Sequence, residues 1–502
     1  MKPPMAEHAR NTKRERALGV ASACLLPVIA AGCGGLAAHK RASSPPIVSG
    51  PSFAAPVGYA TGRGPSAAAI ADLNGDGKGD LVTANTEAGS VSVLINRGDR
   101  FDGRQDYKVP RPPATDAPTQ SVAVADLNDD GKPDIASVGG HNTVSVLRNR
   151  GDGTFQLARD YESGASPQAI AAGDVNGDSR PDLAVAEDWC CVSILLNTVA
   201  GFAKQTKYRV GDNPMSLAIA DLNGDGSADL ATASGDGDST LLFNRGDGTF
   251  RRGRDYDTEA GPSWVVAADF DGNGAPDLGV ASNDWSDEFE DDEGGVTLQP
   301  AWVYRFANRG QGRLSAGHTF LGTFGYAEGI DALAVGDLNR DGKPDLIVAR
   351  SESNYENGFL SLLLNRGDGS FPERLDYPIG PEGDTTDDLG LAVGDLNGDA
   401  RLDVATVDAS AHTVTVLLSA PELCDVPDVS GAVVSIRAGF LGRELPAAKR
   451  ALKAAHCAVG TIRYVRDPDV PKGGVISQKP KFGAVLPAGS KVDLVVSKGR
   501  RK

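Results

Sequence analysis

The chain has 502 residues, which is more than one ordinary hydrophobic core supports, so a repeat array or several domains are expected. Its 62 glycines and 30 prolines, with only 6% aromatic residues, favour short strands joined by tight turns. The formal charge of −17 argues against binding to nucleic acid or anionic lipid, which requires a basic surface.

Residues 1–32 are typical of an export signal. A basic stretch to Arg16 precedes 15 apolar residues, Ala17 to Ala31, too few for a comfortable membrane span. The small residues before Cys33 resemble a bacterial lipobox, which implies lipidation of Cys33 and an extracytoplasmic, membrane-anchored or wall-associated protein. Cleavage as an ordinary signal peptide is the alternative. Residues 33–52 are small and polar and predict a tether.

A nine-residue pattern, first seen from Asp72 to Asp80, recurs seven times. Successive copies are 54, 48, 47, 48, 68 and 58 residues apart, a spacing that accommodates four short strands per repeat. Alternating apolar runs flank each copy, with Gly, Asn and Asp in the turns between them. We therefore predict an all-β, seven-bladed β-propeller over residues 53–419.

The two ends of this region predict how the ring closes. The seventh repeat has three strand-like runs, and its fourth run is missing. Phe53 to Gly62, ahead of the first loop, matches the fourth runs of the other repeats. We expect it to complete the last blade, because closure removes the exposed edges of an open array.

Positions 1, 3, 5 and 9 of each loop carry Asp or Asn. Hard oxygen ligands at alternate positions suit calcium, with the carbonyl of position 7 as a further ligand. The candidate ligands are Asp72, Asn74, Asp76, Asp80, Asp126, Asn128, Asp130, Asp134, Asp174, Asn176, Asp178, Asp182, Asp221, Asn223, Asp225, Asp229, Asp269, Asp271, Asn273, Asp277, Asp337, Asn339, Asp341, Asp345, Asp395, Asn397, Asp399 and Asp403.

These seven loops resemble the FG-GAP (VCBS-type) repeats of integrin α-chain propellers and of many exported bacterial proteins. The resemblance implies up to seven calcium ions with a structural role. Seven such ions would move the formal charge from −17 to about −3 and relieve repulsion among neighbouring carboxylates. Ser179 and Ala400 depart from the pattern, since they replace the glycine at position 6.

The composition changes at Cys424, and residues 424–499 predict a small α+β domain. A helix is expected from Glu444 to His456, followed by three strands. The motifs Val426-Pro-Asp-Val429, Val470-Pro-Lys-Gly473 and Val475-Ile-Ser-Gln478 resemble those of a PASTA domain. That resemblance implies association with peptidoglycan, while a role as a spacer is the alternative.

Apart from Cys24 in the export signal and Cys33 at the lipid site, four cysteines remain, an even number as expected in an oxidising compartment. Cys424 and Cys457 bracket the small domain and are expected to form a disulfide. Cys190 and Cys191 are adjacent, and two interpretations stay open: a vicinal disulfide, or two thiols on opposite faces of a strand.

No catalytic or phosphate-binding motif is recognisable in the sequence. We therefore predict a non-enzymatic binding or adhesion protein whose propeller presents loops to a glycan or protein, and the alternative is an extracellular polysaccharide lyase or hydrolase. An acidic insertion between the fifth and sixth loops, from Asp284 to Glu293, favours the fifth blade as the ligand-binding region. Its candidate sugar-stacking residues are Trp264, Trp285 and Trp302.

Overall fold

The structure is a computed structural model of the chain. It describes residues 51–98, 100–109, 121–139, 142–258, 261–283, 289–290, 296–297, 300–315, 319–326, 328–352, 358–379, 390–420, 423–425, 444–454, 457–468, 470–481, 485–487 and 491–499. The predicted export signal, Cys33 and the tether up to residue 50 lie outside these residues. Within the described residues, no helix has the length and apolar character needed to cross a membrane.

Seven four-stranded antiparallel sheets follow one another along the chain, which confirms the predicted fold class. Blade 1 consists of Pro65–Ala71, Asp80–Asn85, Ser90–Leu94 and Gln105–Lys108, and blade 2 of Ser121–Ala125, Asp134–Val138, Thr143–Leu147 and Arg159–Glu162. Blade 3 consists of Pro167–Gly173, Asp182–Glu187, Cys191–Leu195 and Thr206–Arg209, and blade 4 of Pro214–Ala220, Asp229–Ser234, Asp238–Asn244 and Phe250–Asp257. Blades 5 and 6 consist of Pro262–Ala268, Asp277–Ser282, Pro300–Phe306 and Thr319–Tyr326, and of Glu328–Gly336, Asp345–Glu352, Gly358–Leu364 and Glu373–Pro378.

The seventh blade closes the ring as the sequence predicts. Its strands Leu391–Gly394, Asp403–Asp408 and Thr413–Leu417 are completed by the N-terminal strand Val57–Ala60. The register pairs Val57 with Val416 and Ala60 with Thr413. A second short pairing, Ser52–Phe53 with Ser419–Ala420, fastens the same two segments. The first strands of neighbouring blades contact one another around the whole ring, including blade 7 with blade 1.

The hydrophobic core lies between blades. Seven clusters of buried residues each join two successive blades, and the last joins blade 7 to blade 1. The second strand of blade 1, Asp80–Asn85, is therefore buried at all six positions, because neighbouring blades cover both of its faces. Burial on both faces explains why small and apolar residues occupy successive positions of these strands.

A repeated aromatic pair links the outer parts of neighbouring blades. A tyrosine of the fourth strand meets a phenylalanine of the next blade in an edge-to-face contact, as Tyr107 meets Phe155 with ring centroids 5.5 Å apart. The other members are Tyr59 with Phe101, Tyr161 with Phe202, Tyr208 with Phe250 and Tyr256 with Phe306. Apart from Phe306, which ends the third strand of blade 5, these phenylalanines follow the turn between third and fourth strands and have a packing role between blades.

The second domain has one helix and a small sheet, as predicted. The helix Leu445–Ala454 buries Ala448 and Leu452. The central strand of the sheet is Lys491–Ser497, which pairs in parallel with Ala458–Val465 and antiparallel with Val475–Lys479. Two further short strands, Leu423–Asp425 and Val485–Pro487, pair with each other.

Candidate metal centres and candidate ligand-binding residues

The seven aspartate loops connect the first and second strands of every blade, so each occupies the same place in its blade. Position 9 is always the first residue of the second strand, from Asp80 in blade 1 to Asp403 in blade 7. The structure therefore brings the four predicted ligands of each loop into a single turn. These loops also share one rim of the propeller, because corresponding strands run in the same direction in all blades.

The aspartate at position 1 organises the turn by accepting backbone hydrogen bonds. In the first loop, Asp72 Oδ1 accepts the amides of Gly75 and Asp76 at 2.7 and 3.1 Å, and Oδ2 accepts that of Gly77 at 2.8 Å. The residue at position 5 accepts the amide of position 7, as Asp76 does from Lys78 at 3.0 Å. Amide contacts of both kinds recur in the other six loops.

The aspartate at position 9 is buried in every loop and anchors the turn to the sheet. Asp80 accepts the amides of Leu73 and Asn96 at 2.8 and 2.7 Å. Burial raises the pKa of Asp80, Asp182 and Asp229 to about 6, and that of Asp345 to about 7. The neighbouring carboxylates at positions 1 or 5 raise these pKa values further, so each site is electrostatically suited to a cation.

Two loops already hold an arginine at the buried carboxylate. Arg148 donates to Asp134 at 2.6 Å in blade 2. In blade 5, Arg305 donates to Asp277 at 2.7 Å and also pairs with Asp271. Carboxylate oxygens of Asp269, Asp271 and Asp277 lie within 4.8 Å of one another in that loop. A guanidinium therefore contributes positive charge in loops 2 and 5, a feature that sequence reasoning missed because neither arginine belongs to the nine-residue pattern.

Sequence reasoning also missed an asparagine that ties each of blades 1 to 6 to the preceding blade of the ring. Asn149 in blade 2 donates through Nδ2 to Leu73 O of blade 1 and to Pro133 O of its own loop, both at 2.9 Å. Its own amide donates to Asp134 Oδ1 at 2.8 Å. Asn96, Asn197, Asn244, Asn308 and Asn365 make the equivalent bonds between blades. The sequence contains a pattern that could have revealed it, because four of the six asparagines open the tetrapeptide Asn-Arg-Gly-Asp, at residues 96–99, 149–152, 244–247 and 365–368.

The Arg-Gly-Asp turns lie on the same rim as the aspartate loops, since they connect third and fourth strands. The described aspartates of these turns are engaged within the turn: Asp152 accepts from the amide and hydroxyl of Thr154 at 2.9 and 2.6 Å. The hydroxyl bond lowers the pKa of Asp152, and Asp247 and Asp368 follow the same pattern. These contacts explain the tripeptide as turn chemistry.

The tryptophans predicted to bind sugars have mixed positions. Trp264 is half-buried and packs against the clusters between blades 5 and 6 and between blades 6 and 7. Trp302 is half-buried against the cluster between blades 4 and 5. Packing accounts for both rings, and a ligand-binding role for them stays a prediction. Trp285 and most of the acidic insertion lie outside the described residues. Trp189, which sequence reasoning passed over, is 74% exposed.

The adjacent cysteines Cys190 and Cys191 form a vicinal disulfide in the structure, which is one of the two interpretations that the sequence left open. Cys457 is disulfide-bonded in the second domain. The side chain of Cys424 lies outside the described residues, so its pairing with Cys457 stays a prediction.

Comparison with known families agrees with this architecture. The model of the FG-GAP-like repeat matches residues 72–137, 126–185, 221–280 and 337–406. The model of the PASTA domain matches residues 439–498. Over 127 residues, the chain is 34% identical to a probable serine/threonine-protein kinase of Clostridium acetobutylicum. That match covers 22% of this chain and 19% of the kinase, so the chain spans about a fifth of the length of this curated relative.

Two crystal structures of BBS1N in complex with ARL6DN, one soaked with lead and one with mercury, superpose with a TM-score of 0.47 at 13% and 15% identity. Each superposition covers 75% of this chain and 98% of the other. The repeat matches and the described sheets, and not these superpositions, identify the repeats. The chain contains four matched FG-GAP-like repeats within the seven-bladed ring, and a PASTA domain at residues 439–498.

Proposed function

We propose that this chain is an exported, non-enzymatic binding protein of a bacterial cell envelope, in which the propeller contacts a glycan or protein and the PASTA domain contacts peptidoglycan. The observation that carries the proposal is the combination of a closed ring of blades with a PASTA domain on one chain. A closed propeller is a rigid scaffold whose loops are free to vary, and binding residues are commonly placed on such loops.

The proposed location follows from the first 33 residues. A basic segment, a short apolar segment and small residues before Cys33 support export and lipidation. Lipidation would hold the mature chain at the membrane, where a PASTA domain can reach the wall.

We also propose that calcium stabilises the propeller. The residues fit the ion in loops 1, 3, 4, 6 and 7, where oxygen-bearing side chains occupy positions 1, 3, 5 and 9 and no described arginine pairs with the buried aspartate. In loops 2 and 5, Arg148 and Arg305 compete for the same carboxylate. When bound, the ion would supply positive charge beside the buried aspartate of each loop.

The proposal is tested with a soluble chain that begins at residue 34 and a truncated form that ends at Ala420. We expect the longer chain to sediment with purified peptidoglycan and the truncated form to stay in the supernatant while keeping its melting temperature. Equal sedimentation of both forms would show that the PASTA domain is not needed for binding to peptidoglycan. Release of reducing ends or unsaturated sugars from a polysaccharide panel would instead support a hydrolase or lyase.

A further inference from the structure

The two rims of the propeller differ in what they carry. The aspartate loops and the third-to-fourth turns share one rim, which we call the aspartate rim. The second-to-third turns and the blade-to-blade connections share the other, which we call the opposite rim. Buried anchors and turn hydrogen bonds occupy the described loops of the aspartate rim. A ligand contact is therefore better sought on the opposite rim.

Trp189 lies on the opposite rim, in the turn between the second and third strands of blade 3. Of the three tryptophans that the structure describes, it is the exposed one. Leaving so large an apolar side chain in water sacrifices the free energy of burial, about 1.5–3 kcal/mol for a large apolar residue. Trp189 also has φ of +85°, a conformation that a bulky L-residue adopts at an energetic cost.

The turn that presents Trp189 is fixed on both sides. The disulfide between Cys190 and Cys191 follows it directly and closes a small covalent ring with their shared peptide bond. Before it, the amide of Asp188 donates to Ser166 O at 3.0 Å. After it, Cys190 O accepts the amide of Val210 at 2.8 Å. A rigid aromatic ring loses little conformational entropy when it binds, so this arrangement favours contact with a ligand.

The surroundings indicate the chemistry of that ligand. Arg209, the register partner of Cys191, is exposed, and Asp188 is half-buried. An exposed aromatic ring in a turn that also carries charged residues suits a sugar ring, which has an apolar C–H face and a polar edge. The net charge of −17 disfavours a polyanionic glycan. Pyranoses in β-1,4 linkage expose broad C–H faces because their substituents are equatorial.

We propose that Trp189, held by the Cys190–Cys191 disulfide, is the stacking contact for a pyranose of a neutral, β-1,4-linked glycan on the opposite rim of blade 3. This inference rests on the proposed function, in which the propeller binds an envelope ligand, and it names the ligand class and the contact. Among the described residues of blade 3, Trp189 is the one large apolar side chain exposed on this rim, and a protein partner would need a larger apolar patch.

The test uses the full soluble chain from residue 34 and calorimetric titration with chitohexaose and cellohexaose. We expect at least one of them to bind the unmodified chain. Trp189→Ala should weaken binding about tenfold or more, since it removes the stacking ring, and Trp189→Phe should weaken it less. The double variant Cys190→Ser/Cys191→Ser should also weaken binding, because the ring would no longer be fixed.

Val199→Ala is the matched control, because Val199 is 89% exposed on the aspartate rim of the same blade. It should leave binding unchanged. Binding that survives Trp189→Ala would overturn the stacking contact while leaving glycan binding by the propeller intact. Failure of both hexasaccharides to bind would overturn the inference, and the sedimentation experiment with peptidoglycan would still judge the proposed function separately.

Discussion

At position 6 of the aspartate loops, two residues hold a backbone conformation that suits glycine. Ala400 has φ of 61° and Ser179 has φ of 68°, where Gly77 of the first loop has 81°. We expect Ala400→Gly to stabilise the propeller by about 1 kcal/mol, because the left-handed region costs an L-residue about that much. Urea denaturation measures the change. Ala275→Gly is the control: its φ is not positive, so the substitution should destabilise.

The buried aspartates predict a pH dependence of the calcium-free protein. Burial raises the pKa of Asp345 to about 7, so the folded state holds this proton more tightly than the unfolded chain. The resulting stabilisation is fully present below the ordinary pKa of 3.8 and is lost as pH rises through about 7. In EDTA, stability should therefore fall between about pH 5 and pH 8, and Asp345→Asn should reduce that fall.

The free energy of unfolding, measured at about pH 5 and about pH 8 for the unmodified chain and for Asp345→Asn, tests this prediction. Asp152→Asn is the control, because the pKa of exposed Asp152 is lowered and its titration lies below this window. An unchanged fall in Asp345→Asn would contradict the assignment.

The sequence predicts the position of a single residue in the fold when that residue belongs to the repeated pattern. The aspartates at positions 1 and 9 recur at fixed spacing in all seven loops, so their shared place in every blade follows from the pattern. Arg305 lies 28 positions from Asp277 and outside the nine-residue pattern, so the repeat does not predict this contact. The exposure of Trp189 depends on the tight turn between the second and third strands of blade 3. This tryptophan is not part of the repeated pattern, so the repeat does not predict its exposure.

At the scale of elements, the strands were predictable because each has an alternating or apolar run between turn residues. What the sequence did not yield was the bonding between blades. The Nδ2 group of Asn149 bridges to Leu73 O over 76 positions, and only the three-dimensional stacking of blades brings the two together. The seventh blade lacks this asparagine, and Ser419 takes its place. The pairing of Ser52–Phe53 with Ser419–Ala420 fastens that blade instead.

We expect Asn149→Ala to destabilise the propeller by about 2–4 kcal/mol. The change removes two side-chain donations and leaves the buried carbonyls of Leu73 and Pro133 short of a partner. Chemical denaturation of the soluble chain measures the loss. Leu157→Ala in the same blade is the control, because Leu157 is 93% exposed and its truncation should change stability by less than about 0.5 kcal/mol. Equal effects of the two variants would argue against a bridging role for Asn149.

At the scale of the whole molecule, the ring couples the loops to one another. Every blade packs on two neighbours, and the N-terminal strand joins the last blade to the first, so loosening one loop weakens the contacts of its neighbours. Removal of calcium should therefore lower the melting temperature in one cooperative transition. Without the ions, repulsion among the carboxylates of each loop opposes the folded state.

Differential scanning calorimetry with EGTA, and again after calcium is restored, measures this coupling. We expect a reversible fall of the propeller transition by about 10 °C or more, as in proteins whose ligands bind only the folded state. Because Arg148 and Arg305 already pair with the buried carboxylates of loops 2 and 5, titration should give about five strong sites rather than seven. Magnesium is the control ion, since it demands near-ideal octahedral geometry and dehydrates reluctantly. A melting temperature unaffected by EGTA would show that the hydrogen-bonded turns alone stabilise the loops.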